Sequence, residues 1–235
     1  AIDHSAWPIL IEASSFQFHD AKKSPYIAAV TNITPDHLNW HDSMAEYIEA
    51  KSNILRHQTK SDWVILNANN ENSAKLSSAT PAQHFWVGQR RGESWVAWEK
   101  EHLMLGFDGK VEIVIHADQL GYKTHPDNWL FAVAIAQLHF VPLTTMVEQM
   151  KLFKGVEQRL QFVRTVRDVH FYNDSSCTTP EAARAAIGQF DPKKLILLMG
   201  GSSKNADFTE IADLIIQKGV RVYLYGQEGK RIQEA

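Results

Sequence analysis

Two apolar runs late in the chain flank a helix-forming segment, and this pattern limits the fold more than any other feature. The runs are Lys194–Met199, which continues into Gly200-Gly201, and Val220–Tyr225. Between them, Asp207-Phe208-Thr209-Glu210 predicts a capped helix start, and Gly219 predicts the helix end. Two buried strands joined by a helix form a βαβ unit, which requires a parallel sheet. We therefore expect an α/β fold.

The first third of the chain shows the same alternation of strands and helices. Short apolar runs predict buried strands at Ile9–Ala13, Tyr26–Ile33 and Trp63–Leu66. The capping box Ser43-Met44-Ala45-Glu46 predicts a helix that begins there and runs to about His57. This order of elements again favours parallel strands.

The pattern changes at residues 84–116, where four short runs predict strands: HFWVG, SWVAWEK, HLMLGF and KVEIVI. Asp108-Gly109 predicts a hairpin turn between the last two, so the sheet should have a small antiparallel part. A mostly apolar helix is predicted at Asn128–His139, and a second helix should end near Phe153.

Gly155 follows this second helix and predicts a boundary between two domains, 1–155 and 156–235. Beyond it, a polar hairpin with a turn at Arg167-Asp168 is predicted. Thr179-Pro180-Glu181 then predicts a helix start, with threonine as the cap and proline at the first helical position.

Composition excludes several classes of protein. The 235 residues include 24 Lys+Arg and 27 Asp+Glu, and this net charge of −3 lacks the basic footprint of a nucleic-acid binder. The densest apolar run, LILLM, is far shorter than the ~20 residues that span a bilayer. A single cysteine excludes a disulfide framework and a cysteine-based zinc site. We expect a cytoplasmic protein without membrane partners, and a fragment, since the first residue is Ala1.

Lys51 lies on the apolar face of the helix predicted from Ser43. Its neighbours one turn away are apolar: Tyr47, Ile48, Ile54 and Leu55. A lysine among such neighbours either extends its ammonium to water or is modified or paired at a site. Both alternatives stay open from the residues alone.

Histidines lie in the loop between the second predicted strand and that helix. His37 and His41 have the H-x-x-x-H spacing of a helical zinc pair, but Leu38 stands where a catalytic glutamate would be, and Pro35 disfavours a helix through both. Loops that follow strands of α/β folds are where ligands bind. Glu12, at the end of the first predicted strand, could share a divalent ion with His37.

Two later loops have the character of anion sites. One is the hydroxyl-rich run 171–181, which leads into a helix N-terminus, although plain capping by Thr179 explains it equally well. The other is Gly200-Gly201-Ser202-Ser203-Lys204, whose lysine can pair with an anion. It is not a Walker A loop, because the order G-x-x-x-x-G-K-[ST] occurs nowhere in the chain.

Taken together, these segments resemble the Mur ligase family. The matching motifs occur in one order along the chain: Glu12-Ala13-Ser14-Ser15-Phe16-Gln17, Asn32 to His41, Tyr47 to Lys51, Arg159, Asn173-Asp174-Ser175 with Thr178, and Gly200 to Phe208. The Asp-Tyr-Ala-His pattern of sister ligases is missing at residues 173–176, which favours the members that add D-glutamate.

The resemblance implies a fold and a set of roles. The fold would be a central ATPase-like domain, a parallel sheet with a small antiparallel part, followed by part of a Rossmann-like C-terminal domain. ATP and Mg²⁺ would be the cofactors, with Lys51 carbamylated and, with His37, catalytic. The implied roles are Glu12, His37 and Lys51 for metal, Asn128, Arg159 and Asp174 for ATP, and Ser14, Gln17, Thr178 and Lys204 for substrate.

The implied reaction is ligation through an acyl-phosphate, with ATP, UDP-N-acetylmuramoyl-L-alanine and D-glutamate as partners of a monomer. The P-loop of the family, its nucleotide-sugar domain and the end of its C-terminal domain are not in this chain, so the chain alone should be inactive. Two alternatives stay open: a different amide ligase, either another Mur ligase or a folylpolyglutamate synthetase, and a non-catalytic binding module that lost the P-loop.

Overall fold

The computed structural model describes residues 8–18, 20–35, 41–122, 125–202 and 206–235. Two compact units divide the chain. The first unit comprises Ala1–Gln119 and Pro126–Glu148, and the second comprises Leu120–His125 and Gln149–Ala235.

The first unit alternates helices with the strands of one sheet. Its elements are α1 (Ser15–Phe18), β1 (Ile27–Val30), α2 (Met44–Ser52), β2 (Trp63–Asn67), α3 (Glu71–Lys75), β3 (Gln83–Val87), β4 (Trp95–Glu99), β5 (His102–Phe107), β6 (Lys110–His116) and α4 (Pro126–Leu138). The six strands follow the order β1-β2-β3-β4-β5-β6. Strands β1 to β4 pair in parallel, and β4, β5 and β6 pair antiparallel. The predicted parallel sheet with a small antiparallel part is confirmed.

The turn between β5 and β6 lies where the sequence predicts it. Asp108 and Gly109 both have positive φ, at 50° and 73°. Positive φ at both central residues is the geometry of a two-residue hairpin turn that matches the strand twist. Asp-Gly therefore fixes the register of this hairpin, in which Phe107 pairs with Lys110.

The predicted strand at Ile9–Ala13 is wrong. Residues 8–14 form neither helix nor strand, and the side chains of Ile9, Leu10 and Ile11 are 65%, 82% and 74% exposed. A strand requires a hydrogen-bonding neighbour, and the sheet ends at β1, which pairs with β2 in the described part of the chain. Apolar composition alone therefore did not make this segment a strand.

Helix α2 is shorter than predicted and ends at Ser52 rather than near His57. Beyond it, the backbone N–H groups of Leu55 and Arg56 donate to the carbonyls of Ser52 and Asn53, three residues back. Such bonds tighten the last turn and end the regular helix. The start of the helix is as predicted, since the Ser43 side chain accepts a hydrogen bond from the Glu46 backbone N–H.

Helix α4 lies within the core of the first unit. Its apolar side chains are buried over most of its circumference: Trp129, Leu130, Phe131, Val133, Ala134 and Leu138. The sheet contributes Val64, Ile65, Leu66, Phe85, Leu103 and Leu105, all nearly inaccessible to solvent. A helix that is apolar all round is expected to be buried, as the sequence of this segment indicated. Throughout the ranges that the structure describes, no helix has the length and apolarity needed to cross a membrane.

The second unit has two small sheets. Helix α5 (Leu143–Leu152) leads into it, and its further elements are β7 (Gln161–Val166), β8 (Val169–Asn173), α6 (Pro180–Ile187), β9 (Ile196–Gly201), α7 (Thr209–Lys218), β10 (Arg221–Tyr225) and α8 (Gly226–Glu234). Strands β9 and β10 pair in parallel, which confirms the βαβ unit predicted from the sequence. Strands β7 and β8 form the predicted hairpin, and Arg167 and Asp168 at its turn both have positive φ.

A glycine in the antiparallel part of the sheet makes room for an aromatic ring. Gly106 on β5 pairs with Trp95 on β4, and a Cβ atom at position 106 would overlap the indole ring of Trp95. We expect Gly106→Ala to lower the free energy of unfolding by about 1–3 kcal/mol, because the tryptophan has to leave its packed position. Urea denaturation measures this change.

Gly229→Ala is the matched control for Gly106→Ala. At this helical position the nearest heavy atoms would lie 3.5 Å from the added Cβ, which is ordinary contact. Alanine is also the better helix former, so this variant should be as stable as the unsubstituted chain or slightly more stable. Equal stability of the two variants would contradict the proposed overlap with Trp95.

Candidate functional site

The segment before and within α1 brings two of the predicted substrate residues together. The backbone N–H of Ser14 donates to Oε1 of Gln17 at 2.8 Å, and its hydroxyl donates to the same oxygen at 3.2 Å. Glu12 lies just before them and is exposed. The serine and glutamine therefore form one small polar surface, and the exposed Glu12 carboxylate lies two residues upstream of Ser14.

Lys51 lies in the last turn of α2 and is half-buried. Its Nζ is 5.0 Å from the centroid of the Tyr47 ring, one turn earlier, which is within the range of a cation–π interaction. Tyr47 and Leu55 are buried, and Ile48 and Ile54 are partly buried beside them. The apolar residues predicted one turn away from the lysine are therefore buried or partly buried in the core of the first unit.

His41 connects α1 with the start of α2. Its Nε2 is 2.9 Å from Oγ of Ser15, and both residues are buried. Sequence reasoning had paired His41 with His37, and the serine contact was missed. His37 lies outside the described residues.

Asn67 closes β2 and joins three parts of the first unit. Its Nδ2 donates to Oδ1 of Asn32 at 2.8 Å and to Oδ2 of Asp127 at 2.9 Å, while its Oδ1 accepts from the backbone N–H of Asn69 at 2.9 Å. Asn32 follows β1, and Asp127 precedes the exposed Asn128 in the first turn of α4. The carboxyl ends of two parallel strands and a helix start therefore meet here, as at ligand sites of α/β folds.

Sequence reasoning missed Asn67, although a signal for it exists. A polar residue that directly follows an apolar strand, as Asn67 follows WVIL, lies at the edge of the sheet where such sites form. The structure adds that the side chain is almost completely buried, so its amide is held by protein partners and not by water.

In the second unit, Asp174 anchors the loop that follows β8. Its Oδ1 accepts a hydrogen bond from the backbone N–H of Leu160 at 3.0 Å, next to Arg159. Tyr122 donates its hydroxyl to the carbonyl of Arg159. The structure thus brings the two predicted ATP residues of this unit into one neighbourhood, and exposed Thr178 lies four residues beyond Asp174. Lys204 lies outside the described residues.

Cys177 lies in the same loop and is half-buried. Burial of the thiol, with the nearby Asp174 carboxylate as a smaller cause, raises the pKa of Cys177 to about 11. The thiolate is therefore scarce at pH 8, and we expect iodoacetamide to alkylate Cys177 at least about tenfold more slowly than an ordinary exposed cysteine. Mass spectrometry over time measures the rate. The same chain in urea should react at the ordinary rate, and equal rates in both conditions would contradict the shift.

A carbamate on Lys51 would change what the first unit offers a metal ion. In the portion of the chain that the structure covers, no three His, Cys, Asp or Glu side chains are grouped around a common point. Mg²⁺ prefers oxygen ligands, which the Glu12 carboxylate offers and an unmodified lysine does not. A carbamate on Lys51 would supply a second anionic oxygen donor, and with that modification the donor set suits magnesium.

Comparison with known proteins identifies relatives over nearly the whole chain. Residues 5–134 match the model of the Mur ligase middle domain. The UDP-N-acetylmuramoylalanine–D-glutamate ligase of Natranaerobius thermophilus is 37% identical over 233 residues, which is 97% of this chain and 50% of that protein. The ligase of the same name from Symbiobacterium thermophilum is 33% identical over 232 residues, 97% of this chain and 51% of that protein. The chain thus spans about half the length of the curated relatives it matches.

Solved structures share the fold. MurF from Acinetobacter baumannii superposes with a TM-score of 0.71 at 20% identity, covering 90% of this chain and 49% of that one. MurF ligase from Thermotoga maritima, in complex with ADP, gives a TM-score of 0.62 at 15% identity, covering 89% of this chain and 51% of that one. At these identities the likeness shows the fold alone.

Proposed function

Because the chain belongs to the Mur ligase family, we propose that the complete gene product is an ATP-dependent ligase that joins D-glutamate to UDP-N-acetylmuramoyl-L-alanine. The observation that carries this proposal is the 37% identity, across 97% of this chain, with a ligase named for that reaction. Residues 1–155 would belong to the central domain and residues 156–235 to the C-terminal domain. We propose a cytoplasmic monomer.

The reaction has two steps. The substrate carboxylate attacks the γ-phosphorus of ATP, which forms an acyl-phosphate and releases ADP. The amine of D-glutamate then attacks the acyl carbon, and phosphate leaves as the amide bond forms. Positioning and electrostatics dominate phosphoryl transfer of this kind. The protein must therefore hold several anionic groups close together while their charges shift.

We assign the metal-binding role to Glu12, His37 and carbamylated Lys51. Mg²⁺ held there would offset the negative charge of the transferring phosphoryl group. The lysine first loses a proton, and its neutral amine attacks CO₂ and loses a second proton, which leaves a carbamate anion. This change would replace a cation on an apolar helix face by an anionic oxygen donor of the kind that Mg²⁺ prefers, which would explain a lysine in that position.

The remaining residues are assigned to substrate or ATP binding, and each unit contributes some of them. In the first, Ser14 and Gln17, which hydrogen-bond to each other, would bind the nucleotide-sugar substrate. Asn128 would bind adenine. The second unit would supply Arg159 and Asp174 for ATP and Thr178 and Lys204 for D-glutamate, whose carboxylate would pair with the lysine.

The test is phosphate release by the complete gene product with ATP, Mg²⁺ and UDP-N-acetylmuramoyl-L-alanine. We expect release that depends on D-glutamate. Release only with another amino acid or with a folate would identify a different ligase of the superfamily. If the gene encodes no Gly-Lys-Thr loop upstream of Ala1, the protein is a binding module without phosphoryl-transfer activity.

A further inference from the structure

Ser15 and His41 form an enclosed polar contact within the segments that carry Glu12 and Lys51. Ser15 is 2% exposed and His41 is 1% exposed, and the Oγ–Nε2 distance is 2.9 Å. Water cannot reach either side chain of this pair. Removing one of the two polar groups therefore leaves the bonding atom of the other buried without a hydrogen-bond partner. The bond joins residues 26 positions apart in the chain.

Two aromatic rings contact the His41 imidazole. The ring of Phe16 lies parallel to it with centroids 5.6 Å apart, and the ring of Tyr47 lies at 5.1 Å. On the other side of the imidazole, Nδ1 is 3.8 Å from Oε1 of Glu46. In the tautomer that carries its proton on Nδ1, on the side of this carboxylate, Nε2 accepts a hydrogen bond from the Ser15 hydroxyl; in the other tautomer Nε2 donates it.

His41 therefore lies between the segments that carry two of the three proposed magnesium ligands, Glu12 and Lys51. On one side, Ser15 follows Glu12 by three residues and lies next to Ser14. On the other side, Tyr47 contacts both the imidazole and the Lys51 ammonium, at 5.1 Å and 5.0 Å. Successive contacts therefore link Ser15 to His41, His41 to Tyr47, and Tyr47 to Lys51.

We propose that His41 is a positioning residue, which fixes the Glu12–Gln17 segment against helix α2 and so sets the placement of Glu12 relative to Lys51. The proposal rests on the proposed function for the role of those two residues. Partners that orient metal ligands typically change metal affinity or activity by about 10–100-fold when they are removed. His41 acts here through Ser15 and Tyr47.

The experiment compares three single variants of the complete gene product with one double variant and one control. His41→Phe keeps an aromatic ring between Phe16 and Tyr47 but removes the bond to Ser15. Ser15→Ala removes the same bond from the other side, and His41→Gln offers an amide that can restore it. His84→Phe is the matched control, because the His84 imidazole also bonds an oxygen, the Ser77 carbonyl at 3.0 Å, and stacks on Trp86.

Two measurements separate positioning from folding. The first is the Mg²⁺ concentration at half-maximal phosphate release, together with kcat and the KM for ATP at saturating Mg²⁺. The second is Mn²⁺ binding in the presence of ADP, followed by electron paramagnetic resonance without turnover. Thermal unfolding of each variant confirms that it is folded.

We expect His41→Phe and Ser15→Ala each to raise the Mg²⁺ requirement and to weaken Mn²⁺ binding about tenfold, with KM for ATP within about twofold. The double variant should be no worse than either single one, because both remove one bond. His41→Gln should recover most of the loss, and His84→Phe should leave Mn²⁺ binding unchanged.

Unchanged Mn²⁺ binding in folded His41→Phe and Ser15→Ala would overturn the proposal, as would multiplicative losses in the double variant. If the proposed function itself is wrong, the experiment gives a different result. In that case the unsubstituted protein releases no phosphate with D-glutamate, while the Mn²⁺ titration still reports whether His41 sets the metal site.

Discussion

Replacing Lys51 by alanine in the complete gene product is expected to lower kcat of D-glutamate-dependent phosphate release about 100-fold or more. Removing one preorganised charged group from a phosphoryl-transfer site has effects of this size. Alanine cannot form a carbamate, so the proposed site loses an anionic oxygen ligand. A short carboxylate such as acetate should restore part of the activity by supplying that oxygen. Steady-state phosphate release with and without acetate measures both effects.

Two further substitutions sharpen this prediction. Lys51→Arg keeps a cation near the Tyr47 ring, but guanidinium stays protonated and does not take up CO₂. It should be as inactive as the alanine variant, and acetate should not rescue it because the side chain fills the space. Lys60→Ala changes an exposed lysine and should keep full activity. Full activity of Lys51→Ala without acetate would contradict the carbamate role.

The second large effect concerns the 235-residue chain by itself, which is expected not to catalyse ligation. Phosphoryl transfer in P-loop enzymes needs backbone N–H groups and a lysine around the β- and γ-phosphates, and a hydroxyl on Mg²⁺. The Walker A order that provides all three is absent from the sequence. Lys204 follows a Gly-Gly pair but lacks the second glycine directly before it. Turnover should therefore fall by several powers of ten, at least about 1,000-fold.

The assay combines the purified chain with ATP, Mg²⁺, UDP-N-acetylmuramoyl-L-alanine and D-glutamate. The complete gene product, under the same conditions, is the positive control. Phosphate release by the chain at an ordinary enzymatic rate, about 1 s⁻¹ or faster, would contradict the prediction. Such a result would require a phosphate-binding loop of a kind that the sequence does not suggest.

Local sequence signals predicted most of the fold. The βαβ unit around α7 and the hairpin turns at Asp108-Gly109 and Arg167-Asp168 depend on residues that lie within one or two elements of each other. The strand predicted at Ile9–Ala13 depended on a distant partner, and it failed because the described chain places no strand beside it. Local composition determines which conformation a segment prefers, whereas pairing depends on which neighbour is present.

In the candidate site, too, local motifs could be predicted from the sequence, whereas contacts between distant segments could not. Motif order identified Ser14, Gln17 and Lys51. In the structure, Ser14 and Gln17 are hydrogen-bonded to each other, and Lys51 lies beside the ring of Tyr47. The bond between Ser15 and His41 could not be predicted, because H-x-x-x-H spacing describes one segment and not a contact across 26 positions. The assigned roles of these residues stay predictions.

The mixed sheet of the first unit also implies an order of assembly. Strands β4, β5 and β6 follow one another through short connections, and hairpins of this kind close in about 1–10 μs. Pairing of β1 with β2 must first bring together strands separated by residues 31–62, at a larger cost in chain entropy. We therefore expect the antiparallel part to form early and to offer an edge to β3, after which β2 and β1 add in turn. Asn32 and the segment leading to Lys51 follow β1, so we expect this part of the proposed site to be completed late in the folding of the first unit.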